Sequence, residues 1–160
     1  SKTIISYIFI MEKTKALLGA GCFWGVEEYF RTIQGILDTK VGYAGGNFAN
    51  PTYEDVCYNS TGHAEVVQIK FDSTIISYEK ILDKFWLCHD PTQLNKQGAD
   101  VGTQYRSVIF YINDEQRNVA EISKQNIQKK ITNEIMTEIT KFSSFYLAED
   151  YHQLYIQKKS

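Results

Sequence analysis

The stretch Lys15–Tyr43, KALLGAGCFWGVEEYFRTIQGILDTKVGY, contains the alternation of patterns that decides the fold. It starts with KALLGA, a short apolar run of the kind that a buried strand requires. Apolar residues then recur at helical spacing from Phe23 to Ile33, and Gly35 is placed to end that helix. A second strand is predicted over Ile36–Tyr43, so the stretch forms a strand–helix–strand unit.

The chain beyond Tyr43 continues to alternate between strands and helices. The predicted elements are a strand at His63–Phe71, a helix at Ser77–Cys88, a strand at Ser107–Ile112, a helix from Asn113 to about Lys129 and a strand at Ile135–Thr140. Two long loops are predicted at Ala44–Gly62 and His89–Tyr105, and long loops in a compact domain are usually functional. The pattern predicts an α+β fold, a two-layer α/β sandwich with a mixed sheet.

The composition is that of one ordinary soluble domain. The chain has 160 residues, of which 43% are hydrophobic and 22% charged. Its net charge of -2 and its scattered basic residues argue against nucleic acid as the main partner. No repeat or Pro/Gly/Ser-rich linker marks a boundary, so we expect residues 15–160 to form a single domain.

Residues 1–14 are expected to be an extension outside that domain. Their apolar run, Tyr7–Met11, is far shorter than the ~20 residues of a spanning helix, so no membrane partner is expected. The three cysteines are odd in number and include no CxxC pair, which argues against a disulfide scaffold. A reduced compartment, the cytoplasm, is therefore expected.

Cys22 is the strongest candidate for chemistry. It lies just before the predicted helix, where free backbone amides and the helix dipole favour a thiolate, the nucleophilic form of cysteine. The aromatic pair that follows, Phe23 and Trp24, could wall an apolar pocket beside the sulfur. A buried, inert cysteine at the end of a strand explains the position equally well, so both interpretations stay open on physical grounds.

Six blocks of sequence point to a known family. In order they are GCFWGVE, GYAGG, NPTYEDVC, TGHAEVVQIKFD, FWLCHDPTQLNKQGADVGTQYRS and FYLAEDYHQLY, and they cover nearly all of Lys15–Tyr155. Together they resemble an A-type peptide methionine sulfoxide reductase. The resemblance implies a ferredoxin-like sandwich and a catalytic domain that reduces the S epimer of methionine sulfoxide, free or in oxidised proteins, which is a repair reaction.

The same resemblance assigns roles to particular residues. Cys22 matches the nucleophile, which would release methionine and become a cysteine sulfenic acid. Phe23 and Trp24 match the residues that hold the methyl group of the substrate. Asp100 matches an acidic residue of the substrate pocket.

Three further residues match the groups that act on the sulfoxide oxygen. Glu65 matches the carboxyl group that protonates this oxygen, and Tyr53 and Tyr105 match phenols that hydrogen-bond to it. Charge develops on the oxygen as it leaves, so a carboxylic acid kept neutral by burial is a suitable proton source. Without the resemblance, a glutamate on a strand usually faces solvent, and most of the 11 tyrosines would serve in packing.

The histidines do not have the spacing of a metal site, so no bound metal or other cofactor is expected. Hydrogen-bonded structural roles are the simpler interpretation of His63 and His89. Asp150 and His152, in the block AEDYHQ, are candidates for supporting the site.

Recycling of the sulfenic acid is expected to depend on an external thiol. Many relatives have resolving cysteines in a C-terminal tail, whereas no cysteine follows Cys88 here. Cys57 and Cys88 remain possible resolving cysteines, but we favour glutathione, glutaredoxin or thioredoxin, with dithiothreitol as a substitute in vitro. A monomer is expected.

Two rival functions remain. One is a cysteine hydrolase that uses Cys22 with His63 or His152, which would leave Glu65 and the aromatic pair unexplained. The other is a non-enzymatic module that binds oxidised methionine or senses oxidants through Cys22.

Overall fold

The computed structural model describes residues 14–160, so apart from Thr14 the predicted N-terminal extension lies outside the described residues. The strands are β1 (Lys15–Ala20), β2 (Ile36–Ala44), β3 (Ala64–Phe71), β4 (Lys96–Gln97), β5 (Asp100–Val101), β6 (Ser107–Tyr111), β7 (Glu138–Lys141) and β8 (Phe145–Leu147). The α-helices are α1 (Phe23–Arg31), α2 (Tyr53–Tyr58), α3 (Tyr78–Cys88), α4 (Asp114–Gln128) and α5 (Tyr155–Lys159), and 3-10 turns lie at Thr103–Tyr105 and Asp150–His152.

Six of the strands form one mixed sheet in the order β7-β6-β1-β3-β2-β8. The four inner strands, β6-β1-β3-β2, pair antiparallel, and β1 and β2 are separated by β3 although only α1 joins them in the chain. This is the ferredoxin-like arrangement, so the predicted fold class is confirmed. β7 adds a parallel edge strand and β8 an antiparallel one.

The sheet is buried on both faces, which explains why β1 is almost entirely apolar. Leu18 faces the larger core cluster, to which α1, α3 and α4 contribute residues such as Phe30, Phe85 and Ala120. Leu17, the adjacent residue, points to the opposite face. There it belongs to a smaller cluster that Phe145 partly covers.

Both predicted long loops contain short elements of secondary structure that the sequence pattern did not predict. The first contains α2, whose start is fixed by a reciprocal capping box between Thr52 and Asp55. The second contains the β4–β5 hairpin and the 3-10 turn at Thr103–Tyr105. The strand β8 is a further element that the sequence pattern did not predict.

These loops lie at one end of the strands. β1 and β2 finish at this end of the sheet, while β3 and β6 begin there, since Ala44 pairs with Ala64 and Ala20 pairs with Ser107. Residues far apart in sequence therefore meet just beyond the end of β1. Within residues 14–160, no helix is both long and apolar enough to cross a membrane.

Candidate active site

The site is built around Cys22, which lies between the end of β1 and the first residue of α1. The turn requires glycine at position 21, because Gly21 has a φ of +98° and a Cβ there would come within 2.9 Å of the Gln97 side chain. Gln97 belongs to the β4–β5 hairpin, so this contact places the hairpin beside the cysteine. Cys22 itself is half-buried.

The surroundings of Cys22 favour the neutral thiol in the resting protein. The pKa of Cys22 is raised to about 11, mainly by burial; the carboxylates of Glu65 and Asp100 contribute to the rise and the amides of Trp24 and Gly25 oppose it. The helix start therefore acts in the expected direction, but it does not make a well-formed cap with the sulfur. The expectation that this position yields a thiolate is wrong for the net pKa, because burial and nearby carboxylates outweigh the amides.

Glu65 is buried next to the nucleophile, contrary to the usual exposure of strand glutamates. Its side chain is only 1% exposed, and its Oε1 accepts a hydrogen bond from the Phe23 amide at 3.0 Å. Burial raises the pKa of Glu65 to about 7; the Phe23 amide opposes this rise and the charge of Asp100 adds to it. A large fraction of this carboxyl group is therefore neutral at physiological pH, as a proton donor requires.

The two candidate tyrosines lie in the same electrostatic environment. Burial raises the pKa of Tyr105 to about 12, and the charges of Glu65, Cys57 and Asp100 add to the rise. Burial also raises the pKa of Tyr53, as does a hydrogen bond between its hydroxyl group and the Cys57 sulfur. Both phenols thus stay protonated and can donate a hydrogen bond near Glu65.

Aromatic rings enclose the other side of the site. The Trp24 indole stacks on Tyr155 with ring centroids 3.8 Å apart, and its Nε1 donates to Nδ1 of His152 at 2.9 Å. His152 is buried and its ring also contacts Phe23 and Tyr53. His152, which was predicted to support the site, therefore lies beside the aromatic pair Phe23 and Trp24. Asp150, which was predicted for the same role, is exposed. Tyr155 was missed because its stacking partner lies far away in the sequence.

Hydrogen bonds hold the segment around His152 against α1 and β2. The side chains that make them, Glu27 and Gln153, were not predicted from the sequence. Glu27, on α1, accepts a hydrogen bond from the Leu154 amide at 2.7 Å. Gln153 accepts a hydrogen bond from the Val41 amide of β2 and donates one to the Val41 carbonyl, both at 2.9 Å. The only signal in the sequence was that both side chains lie in blocks that resemble the family, GCFWGVE and FYLAEDYHQLY.

The remaining cysteines differ in their relation to this cluster. Cys57 lies within it, because its thiol interacts with Tyr53, Glu65 and Glu149. Cys88 lies at the end of α3, where its sulfur donates to the Phe85 carbonyl. Burial raises the pKa of Cys88 to about 12.

The histidines do not provide a base for a hydrolase. His63 accepts from the Gly46 amide and donates to the Phe48 carbonyl, so both ring nitrogens are occupied. His152 accepts from Trp24 through Nδ1, which places its own proton on Nε2. Among residues 14–160, no group of three or more His, Cys, Asp or Glu side chains is arranged to hold a metal ion.

Known proteins share both the sequence and the fold. The family model for peptide methionine sulfoxide reductase matches residues 14–160. The chain is 56% identical to the peptide methionine sulfoxide reductase MsrA of Methanosarcina acetivorans over 147 residues, which are 91% of this chain and 78% of that protein.

Two solved structures of yeast Mxr1 also resemble it. Reduced Mxr1 from Saccharomyces cerevisiae superposes with a TM-score of 0.86 at 39% identity, covering 90% of this chain and 84% of that one. Mxr1 in complex with Trx2 superposes with a TM-score of 0.62 at 30% identity, covering 88% and 83% of the two chains.

Proposed function

Because this chain belongs to the peptide methionine sulfoxide reductase family, it reduces methionine sulfoxide, and we propose that Cys22 attacks the sulfoxide sulfur. In that step the Cys22 sulfur bonds to the substrate sulfur, the thiol proton and a proton from an acid pass to the sulfoxide oxygen, and the sulfur–oxygen bond breaks to release water. A water molecule then attacks the Cys22 sulfur, which breaks the sulfur–sulfur bond, releases methionine, returns a proton to the acid and leaves Cys22 as a sulfenic acid. The substrate is thereby reduced by two electrons, and the cysteine is oxidised by two.

Glu65 is proposed as the acid that protonates the sulfoxide oxygen. Its burial keeps much of the carboxyl group neutral near pH 7, and its bond to the Phe23 amide holds it beside Cys22. Tyr53 and Tyr105 are proposed to donate hydrogen bonds to the same oxygen. Positioned donors in a site that excludes water can contribute several kcal/mol to catalysis.

Phe23 and Trp24 are proposed to hold the methyl group of the substrate, with Asp100 at the border of the pocket. The indole has little freedom, because it is stacked on Tyr155 and hydrogen-bonded to His152. A rigid aromatic wall would accept the methyl group on one side of the substrate sulfur. The groups proposed to donate to the sulfoxide oxygen, Glu65, Tyr53 and Tyr105, are separate from this wall. Fixed places for the methyl group and the oxygen would allow the site to select one epimer, and the family resemblance indicates the S epimer.

We propose that an external thiol, with thioredoxin as the first candidate, reduces the sulfenic acid. The complex of the related Mxr1 with Trx2 supports this route. The Cys88 thiol donates to the Phe85 carbonyl at the end of α3 and burial raises its pKa to about 12, so its thiolate is scarce, which argues against it as a resolving cysteine. Cys57 lies in the cluster and is the internal alternative. Glutaredoxin, glutathione and dithiothreitol would perform the same exchange.

At the level of the whole protein, we propose that residues 15–160 form the catalytic domain and act as a monomer on oxidised proteins and peptides. A reducing compartment such as the cytoplasm suits an enzyme that depends on thiols, and all three of its own cysteines are free.

The proposal rests on one observation. Glu65 is buried, much of its carboxyl group is neutral near pH 7, and it accepts a hydrogen bond from the amide of Phe23, the residue after Cys22. The proposal is tested by the turnover of racemic N-acetylmethionine sulfoxide with excess dithiothreitol, followed by chiral chromatography. The wild type should consume only the S epimer and Cys22→Ser should consume neither, whereas Cys88→Ala, a control for loss of a thiol, should retain turnover. If both epimers persist with the wild type, the assigned reaction is wrong.

A further inference from the structure

Glu149 makes a contact that none of the proposed catalytic roles uses. It lies between β8 and the 3-10 turn at Asp150–His152. Its Oε2 accepts a hydrogen bond from the Tyr53 amide at 2.9 Å, and its Oε1 accepts one from the Tyr43 hydroxyl group at 3.0 Å. A single carboxylate therefore bridges two tyrosines that are far from it in sequence.

The two partners of this carboxylate differ in kind. Tyr43 is fully buried on β2, where it pairs with Glu65 on one side and Tyr146 on the other, so its hydroxyl group is a fixed point of the sheet. Tyr53 is the first residue of α2, and its amide has no partner within the helix. Glu149 thus connects a rigid strand to the start of the helix that carries Tyr53.

In the structure both partners donate, so the carboxylate between them accepts two hydrogen bonds. A glutamine could still accept from the Tyr53 amide and donate to the Tyr43 hydroxyl oxygen, so an apolar side chain is needed to break the bridge. Burial opposes the ionisation of Glu149, but the Tyr53 amide and the Tyr43 hydroxyl group outweigh it and lower the pKa of Glu149. The carboxylate is therefore ionised at neutral pH, in contrast to that of Glu65.

We propose that Glu149 is a positioning residue that holds Tyr53 where its hydroxyl group can reach the sulfoxide oxygen. The Tyr53 ring also packs against the larger core cluster and against His152, with centroids 4.7 Å apart, and its hydroxyl group makes a hydrogen bond to Cys57 that substrate would break. The hydrogen bond from the Tyr53 backbone amide to Glu149 does not involve the hydroxyl group, so it persists when the hydroxyl group turns to the substrate. This inference rests on the proposed function of Tyr53.

A double-mutant cycle tests the proposal with the full chain, free methionine-S-sulfoxide and dithiothreitol. The variants are Glu149→Leu, Tyr53→Phe and the double substitution, with Glu54→Leu as the control. Glu54 is an exposed carboxylate next to Tyr53. Glu149→Leu removes both acceptors and should lower kcat/KM by roughly 10-fold or more, since small misplacements of catalytic groups have effects of this size. In the Tyr53→Phe background the same substitution should have almost no effect.

Amide exchange separates positioning from a general loss of structure. The Tyr53 amide should exchange with deuterium faster in Glu149→Leu than in the wild type or in Glu54→Leu. If Glu149→Leu does not fold, Glu149→Asp, which is too short to bridge both donors, takes its place in the cycle.

An equal loss of kcat/KM in both backgrounds would overturn the proposal, as would activity of Glu149→Leu close to that of the wild type. Failure of the underlying function gives a different result: the wild type would consume no sulfoxide, or Tyr53→Phe alone would be fully active.

Discussion

The burial of Glu65, which we propose as the catalytic acid, also affects the stability of the protein. The carboxyl group is buried, and its pKa rises from the ordinary value of 4.5 to about 7. Because the folded-state pKa is the higher one, folding favours the protonated form. The contribution of this group to stability is complete below about pH 4.5 and is lost as the pH rises to about 7. The loss corresponds to roughly 3 kcal/mol.

The substitution Glu65→Gln is therefore predicted to decrease activity and increase stability at the same time. The amide side chain would keep the acceptor for the Phe23 amide but has no proton to transfer, so kcat/KM should fall about 10²- to 10⁴-fold. At pH 8 the variant should unfold at a higher temperature than the wild type, and the difference should disappear near pH 4. Thermal unfolding from pH 4 to 9 measures this, with the exposed Glu79→Gln as the control. A variant less stable than the wild type at pH 8 would contradict the assignment.

The same scale shows where inference from the sequence ends. The position of Cys22 before a helix is visible in the sequence, and its nearby amides act as predicted. The net direction of its pKa depends on burial and on Asp100, which belongs to a hairpin that the pattern did not reveal. Local chemistry was thus predictable, and the balance set by distant residues was not.

At the scale of elements, Arg106 connects the loops that present the catalytic groups. Its Nη1 donates to the Thr103 carbonyl at 2.9 Å and its Nη2 to the Gly62 carbonyl at 3.0 Å. Its Nε also lies 3.4 Å from a carboxylate oxygen of Glu138 on β7. The first bond fixes the turn that contains Tyr105, and the second fixes the chain just before Glu65.

Replacing this guanidinium should loosen both loops. A lysine can keep only one of the three contacts, so Arg106→Lys is expected to destabilise the protein by about 1.5–3 kcal/mol. Arg117→Lys is the matched control, because Arg117 is exposed on α4, where it pairs across one helical turn with Glu121 and lies over the Tyr111 ring. A lysine can keep both exposed contacts, so the effect should stay below about 0.5 kcal/mol. Urea denaturation compares the two variants. Equal stabilities would show that Arg106 does not hold the loops.

Elements with strong periodicity were predicted well, and those fixed by tertiary contacts were not. The helix beginning after Ser77 and the helix beginning after Asn113 both start where their caps predict, with each side chain accepting from the amide three residues ahead. The helix α2 is too short to show a periodic pattern, although Thr52 and Asp55 carried a capping signal. The hairpin of β4 and β5 has two residues in each strand, too few for alternation to appear.

At the scale of the whole molecule, the strand order explains why the site residues meet. β3 lies between β1 and β2, so Glu65 at the start of β3 comes beside Tyr43 near the end of β2 and close to Cys22 after β1. The strands β1, β2 and β3 were predictable from the sequence pattern, but their order in the sheet was not. The resemblance of the six blocks to a known family supplied the ferredoxin-like order, and the structure agrees with it.

The most direct test of the account is a single turnover without any thiol reductant. Wild-type protein mixed with excess methionine-S-sulfoxide should release about one methionine per chain, and a dimedone probe should then label Cys22 as a sulfenic acid. Cys22→Ser should release none. Methionine formed while Cys22 remains an unmodified thiol would contradict the central claim, and a disulfide between Cys22 and Cys57 would replace the external thiol with an internal one.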